Sequence, residues 1–211
     1  MILIDTQKEE FSKLKDVRIF GKVSHEGRYN GNLLVIGLGG VGSKTVLNLK
    51  GMLVDNITPE DNISFLMVDS DIPAMEATIK DSKEHLGFNA MEVCSIYRPN
   101  AENLLANGID NNPVHPNLAS WMASDFPSIT ITPRGTGGNR QIGRLMFSNA
   151  YEDMSMLLFD KLEEARNKVK VGYLDVIIVT GLGGGTGSGI LSDLTYNLRA
   201  YSKKMRWNNV R

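Results

Sequence analysis

Three largely apolar runs stand out along the chain: NLLVIGL at Asn32 to Leu38, ISFLMVDSD at Ile63 to Asp71 with two acids at its polar end, and LDVIIVT at Leu174 to Thr180. Continuous apolarity, as opposed to strict alternation, marks a strand covered on both faces. After each run the period changes to that of a helix. VGSKTVLNLKGML follows the first, IPAMEATIKDSKEHL follows the second with Pro73 in its opening turn, and Gly189 to Lys204 follows the third. The longest periodic segment runs from Gln141 to Val169, where Met146, Ala150, Met154, Leu157, Leu158, Leu162, Ala165 and Val169 recur every three or four residues. That spacing predicts one long amphipathic helix. SITIT, Ser128 to Thr132, alternates like a further strand, and PRGTGGN breaks it. The Asn- and Pro-rich stretch from Gly87 to Pro127 carries no readable period. Strand and helix taking turns predict an α/β fold of the Rossmann-like, three-layer kind, with a parallel sheet between helices.

Composition narrows the class. A chain of 211 residues with 42% hydrophobic content suits one well-packed domain or slightly more. With 23 Lys and Arg against 24 Asp and Glu, the net charge of −1 offers no general attraction to nucleic acid or to an anionic membrane. No apolar run approaches the roughly 18 residues that span a bilayer, so direct membrane insertion is not expected. The lone Cys94 forms no internal disulfide, and the acidic residues of MILIDTQKEEFSKLK do not fit a secretory signal. The expected location is a reducing cytoplasm. His25, His85 and His115 show no metal-ligand spacing.

In a parallel sheet, ligands sit at the carboxyl ends of the strands, and three glycine clusters are expected at that edge: GLGGVGS, RGTGGN and GLGGGTGSG. Glycine lets a ligand approach the backbone N–H groups, and a helix amino terminus adds unpaired donors and a partial positive charge. Such an edge suits a phosphate chain. The first cluster alone fits several templates. Gly37, Gly39 and Gly42 satisfy the dinucleotide pattern, with Asp69 at the end of the next strand. The same residues resemble the ThiF-like adenylyltransferases that use ATP to activate a carboxylate. A P-loop fails by one residue, because Ser43 separates Gly42 from Lys44.

The last cluster separates these templates. GGGTGSG, Gly183 to Gly189, is similar to the signature loop of the tubulin and FtsZ superfamily of GTPases, and neither alternative needs it. PRGTGGNRQIGRLMF resembles the family's loop near the γ-phosphate, VIGLGGVGSKTV its first phosphate loop, and VDSD its loop toward the metal, all in family order. The resemblance spans about Leu33 to Lys204 apart from the Asn/Pro-rich insert, and it leaves residues 1–31 as an amino-terminal extension before a partial nucleotide domain at 32–211. In that extension Leu3, Phe11 and Leu14 have the spacing of a short docking helix, with an unpacked tail as the default.

The resemblance implies GTP or GDP as ligand, with Mg²⁺. Gly39, Gly40 and Val41 would present backbone to the α- and β-phosphates, and Gly183, Gly184, Gly185, Thr186, Gly187 and Ser188 would wrap the phosphates, with the Thr186 hydroxyl as an added donor. Gly137, Gly138 and Asn139 would lie near the γ-phosphate. Arg144 matches the family's arginine at the nucleotide, and Gln141 stands where FtsZ-like chains carry a ribose-binding glutamate. Lys44 replaces a common asparagine and is either a phosphate contact or a solvated helix lysine. Asp69 and Asp71 would hold Mg²⁺ through water, or else be exposed strand-end acids. Family members also carry an acidic loop that reaches the nucleotide of the next subunit when they polymerise head to tail. That loop has no counterpart in this sequence, so the catalytic residue is not among those present. The implied function is therefore the GTP-binding part of a filament-forming GTPase. A ThiF-like adenylyltransferase or an NAD-binding protein remains the alternative.

Overall fold

A computed structural model of the chain describes residues 31–56, 62–83, 92–105, 108–110, 112, 115–123, 131–168, 173–207 and 210–211. They belong to one compact unit, Gly31–Arg211. The apolar runs at residues 32–38 and 63–69 become strands buried on both sides, and the run at 174–180 becomes an edge strand that is only half-buried from Val176 onward. β1 spans Asn32–Leu38, β2 Ile63–Asp69, β3 Val93–Ser95 and β4 Leu174–Thr180. All pairings are parallel and the order is β3-β2-β1-β4. Leu38 is level with Val68 on one side and Thr180 on the other, so β1, β2 and β4 end together at one edge.

The period-two split of side chains builds the layers. Leu34, Ile36 and Leu38 of β1 and Leu66 and Val68 of β2 point into the larger core, with Ile142, Leu145, Met154, Leu158, Ile190 and Leu194. The intervening Val35, Phe65 and Met67 point the other way and meet Val46. The first face is covered by α3 (Arg140–Asn149), α4 (Tyr151–Asn167) and α5 (Gly185–Lys204), the second by α1 (Gly39–Asn56). Beside α1 lies α2 (Ile72–Lys83), which buries Met75. This is the three-layer α/β architecture expected from the alternation of periods.

Several boundaries differ from the sequence reading. The long helix expected over Gln141 to Val169 is two helices separated at Ala150, whose φ of −92° and ψ of 6° leave the helical region. The apolar stripe continues through the break, with Met146, Ala150, Met154, Leu158, Leu162 and Ala165 all buried. Ala150 N–H still reaches the Met146 carbonyl and Met154 N–H the Ala150 carbonyl, so the break bends the axis without losing the stripe. The bend lets α3 lie along α5 while α4 crosses β1 and β2. β2 ends at Asp69, two residues short of Asp71. The last helix begins at Gly185, four residues ahead of Gly189, because first-turn N–H groups need no intrahelical partner and glycine costs little there.

Within the Asn/Pro-rich insert, β3 and two 3₁₀ turns, Pro99–Asn103 and Leu118–Ser120, take the place of the missing period. Met122 is buried there, and Trp121 packs against the larger core. Residues 1–30, with the extension and its Leu3, Phe11 and Leu14 spacing, lie outside the described residues, as do His25, His85, Val169 and most of the strand expected at Ser128 to Thr132. No helix among the described residues is long and apolar enough to cross a membrane.

Candidate functional site

The common end of β1, β2 and β4 carries a different loop at each strand. β1 passes directly into α1 at Gly39. β2 passes through Ser70 and Asp71 into α2, and β4 passes through Gly181 to Gly184 into α5. The segment Thr132 to Asn139 reaches the same edge from α3. Ile72 N–H donates to the Pro133 carbonyl at 2.9 Å, and Asp71 forms an antiparallel bridge with Arg134. All three glycine clusters therefore meet at one place.

The glycines there serve two purposes. Some lie where backbones press together. A Cβ on Gly187 would sit 2.6 Å from the Leu38 carbonyl oxygen, and one on Gly185 2.5 Å from the Asn139 nitrogen. A Cβ on Gly42 would lie 2.9 Å from the Gly37 carbonyl carbon, and one on Gly143 3.1 Å from that of Gly185. Gly39 is held just as tightly, 2.9 Å from the Gly187 nitrogen. These residues lock the clusters to one another. Others face open space, with nothing within 4 Å of a Cβ on Gly137, Gly138 or Gly183. Gly40 and Gly184 are nearly as free. Gly137 and Gly138 both have positive φ, 58° and 82°, which makes a tight turn that side chains would strain.

The open glycines and the exposed Gly40, Val41, Lys44, Gly183 and Gly184 surround the amino termini of α1 and α5. Asn139 shapes the third corner as the amino-terminal cap of α3. Its side-chain oxygen accepts from Gln141 N–H at 2.9 Å and Ile142 N–H at 3.2 Å. α5 has no side-chain cap at Gly184; Ser188, in its first turns, donates its hydroxyl back to the Gly184 carbonyl. Gln141 turns toward the insert, where its amide meets the Trp121 carbonyl and Ala123 N–H.

Arg144 is held by a forked pair with Asp193 of α5 at 2.8 and 3.2 Å and lies over the Trp121 ring at 4.8 Å. It lines a separate groove of about 250 Å³ with Phe147, Tyr151 and Tyr196, between α3 and α5.

Two acids stand at the end of β2. Asp69 is buried, and burial pushes its carboxyl above the ordinary value, against the pull of the Ser70 and Asp71 N–H groups. Its Oδ1 accepts from Ser70 N–H at 2.7 Å, while Oδ2 faces Gly40. Asp71 spends Oδ1 on the Ala74 N–H and turns Oδ2 toward Gly135. The Asp69 carboxyl also takes a hydrogen bond from the Thr186 side chain, while Asp71 keeps one oxygen toward the edge; the pair is a donor set that fits a largely hydrated divalent cation. Among the described residues no group of three His, Cys, Asp or Glu side chains stands ready for a metal.

Three hydroxyls at this edge went unread in the sequence or were read otherwise. Ser70, fully buried between the two acids, approaches the Thr186 hydroxyl at 2.6 Å, and Thr136 approaches it from the other side at 3.4 Å. Ser70 and Thr136 carry no periodic signal. Only their place inside VDSD and RGTGGN marks them.

A family model described as tubulin-like matches residues 34–210 of the chain. Among solved structures, an empty FtsZ dimer from M. jannaschii is similar at 18% identity and a TM-score of 0.42, covering 94% of this chain and 36% of that one. The chain therefore spans about a third of the length of that structure. No curated protein matches it.

Proposed function

The chain belongs to the tubulin-like family, and we propose that it is the phosphate-cradling part of a guanine-nucleotide-binding protein that assembles head to tail when complete. The observation that carries this reading is the meeting of three glycine loops around two helix amino termini, with Gly40, Gly137, Gly138, Gly183 and Gly184 left open to a ligand. Unpaired N–H groups and the positive ends of two helices supply what a di- or triphosphate needs, without requiring a cation at every oxygen. Backbone of Gly39 to Val41 and of Gly183 to Ser188 would hold the phosphates. Gly137 to Asn139 would close over the outermost one.

Asp69 and Asp71 would hold Mg²⁺ through water at this edge, where the ion would neutralise charge on the phosphate oxygens. Lys44, exposed on the first turns of α1, would add charge from the rim. Guanine preference and filament formation rest on family membership alone. So does the expectation that the acidic group which positions the attacking water comes from outside this chain. Phosphoryl transfer relies on positioning and charge stabilisation, so a cradle without that group should turn over negligibly.

Titration calorimetry with GTP, ATP and NAD, each with and without Mg²⁺, tests the reading. GTP binding that weakens when Mg²⁺ is withdrawn is the expected result. Binding of NAD, or of ATP in preference to GTP, would move the protein to the dinucleotide or ThiF-like alternative.

A further inference from the structure

The hydroxyls of Ser70, Thr186 and Thr136 come from three different segments and meet in the interior of the edge. Ser70 is fully buried, so its proton and lone pairs have no access to water, and Thr186 is 6% exposed. The 2.6 Å separation of their oxygens requires one to donate to the other. Thr136 stands 3.4 Å from the same Thr186 oxygen. Packing closes around this group. A Cβ on Gly135 would touch the Ser70 hydroxyl at 3.7 Å, and one on Gly185 would overlap the Thr136 hydroxyl. The Thr186 side chain therefore points into the protein, while the open face of the loop is formed by Gly183 and Gly184.

We infer that Ser70, Thr186 and Thr136 form a hydroxyl latch that sets the three loops against one another, and that Thr186 acts through this latch as a positioning residue rather than as a side-chain donor to phosphate. The inference rests on the proposed phosphate reading of the edge and assigns Ser70, which no motif singles out, a part in it. Ser70 ties the end of β2, with both acids, to the start of α5. Thr136 ties the γ-phosphate-side segment to the same point. One hydrogen-bonded centre thereby fixes the relative height of metal-side and phosphate-side groups before a ligand arrives. Preorganisation of this kind shows in affinity, because the loops need no ordering on binding.

The test uses the 211-residue chain and a cycle of Ser70→Ala, Thr186→Val and the double variant, with Thr186→Ser as the conservative control. In the free protein, amide hydrogen exchange at residues 134–138 and 185–188 should quicken about fivefold in Ser70→Ala, in keeping with the loss of one buried hydrogen bond, and at least as much in Thr186→Val, which also loses the contacts to Thr136 and Asp69. The double variant should add little to Thr186→Val, because the Ser70 hydrogen bond is already lost there. Thr186→Ser should retain protection. In calorimetry with GTP and Mg²⁺, Ser70→Ala should weaken binding, Thr186→Val should weaken it by the same factor or a few times more, and the double variant should bind like Thr186→Val. Exchange that is unchanged in both single variants, or effects that simply add, would overturn the latch. A loss on Thr186→Val at least tenfold greater than on Ser70→Ala would show that the Thr186 hydroxyl meets the phosphate itself. Should the parent chain bind no nucleotide, the functional reading fails, and the exchange cycle alone decides the latch.

Discussion

Replacing Gly187 and Gly183 by alanine, one at a time, separates the two kinds of glycine at the edge. A methyl at Gly187 would sit 2.6 Å from the Leu38 carbonyl oxygen and 3.2 Å from its carbon, both backbone atoms of β1, and against the Thr180 hydroxyl. Comfortable separations are about 3.5 Å or more, so the start of α5 must retreat from β1 by roughly 1 Å. Overpacking of this order costs about 1–3 kcal/mol. For a chain of this size each kcal/mol shifts the melting temperature by about 2–4 °C, which gives a fall of roughly 2–12 °C. A methyl at Gly183 meets nothing within 4 Å. Its effect on stability should stay within about 0.5 kcal/mol, as at an ordinary surface position. The same methyl stands where a phosphate would approach the backbone, and it should weaken nucleotide binding about tenfold, or about 1.4 kcal/mol. Thermal unfolding followed by circular dichroism, paired with calorimetry on the same samples, reads both effects. A Gly187→Ala variant melting within about a degree of the parent would refute the backbone lock. A Gly183→Ala variant binding as tightly as the parent would refute the assignment of the open face.

Asn139→Ala removes the cap of α3 and should cost about 1 kcal/mol, whereas Asn139→Asp should keep most of it, as urea unfolding would show. Lys44→Ala should weaken GTP binding by less than about fivefold in calorimetry, because an exposed cation adds only a screened contribution. Burial pushes the Cys94 thiol up to about 11 from 9.0, so its thiolate is roughly a hundredfold scarcer at pH 8 than that of a thiol at the ordinary value. Iodoacetamide labelling should stay slow until the pH nears that value, and labelling at pH 8 as fast as a free thiol would contradict the buried geometry. The same shift means that any stability contributed by the neutral thiol is present below pH 9 and is lost as the pH rises toward 11. Phosphate release from GTP by the chain alone should remain near the spontaneous rate at every concentration, and turnover rising linearly with the chain would show a catalytic group within it.

The α/β class, the runs that became β1, β2 and β4, and the presence of three glycine clusters follow from the sequence by itself. Period and composition are local properties, and a strand packed between helix layers has to be largely apolar wherever its partners lie; β4, half-buried at the edge, carries the same run. The buried stripe from Met146 to Ala165 was legible for the same reason, but the bend at Ala150 was not, since it depends on α3 and α4 packing on different elements. β3 escaped notice because three residues at a sheet edge leave no period to read. Within the edge, the sequence could say that glycines were many but not which purpose each served. Gly187 and Gly183 are chemically identical, and only the positions of Leu38 and Thr180 make one a lock and leave the other open. Likewise nothing in VDSD distinguishes Ser70 from a surface serine until α5 brings Thr186 to 2.6 Å from it. Contacts between residues more than a hundred positions apart are set by the packing of whole layers, and no local pattern encodes them.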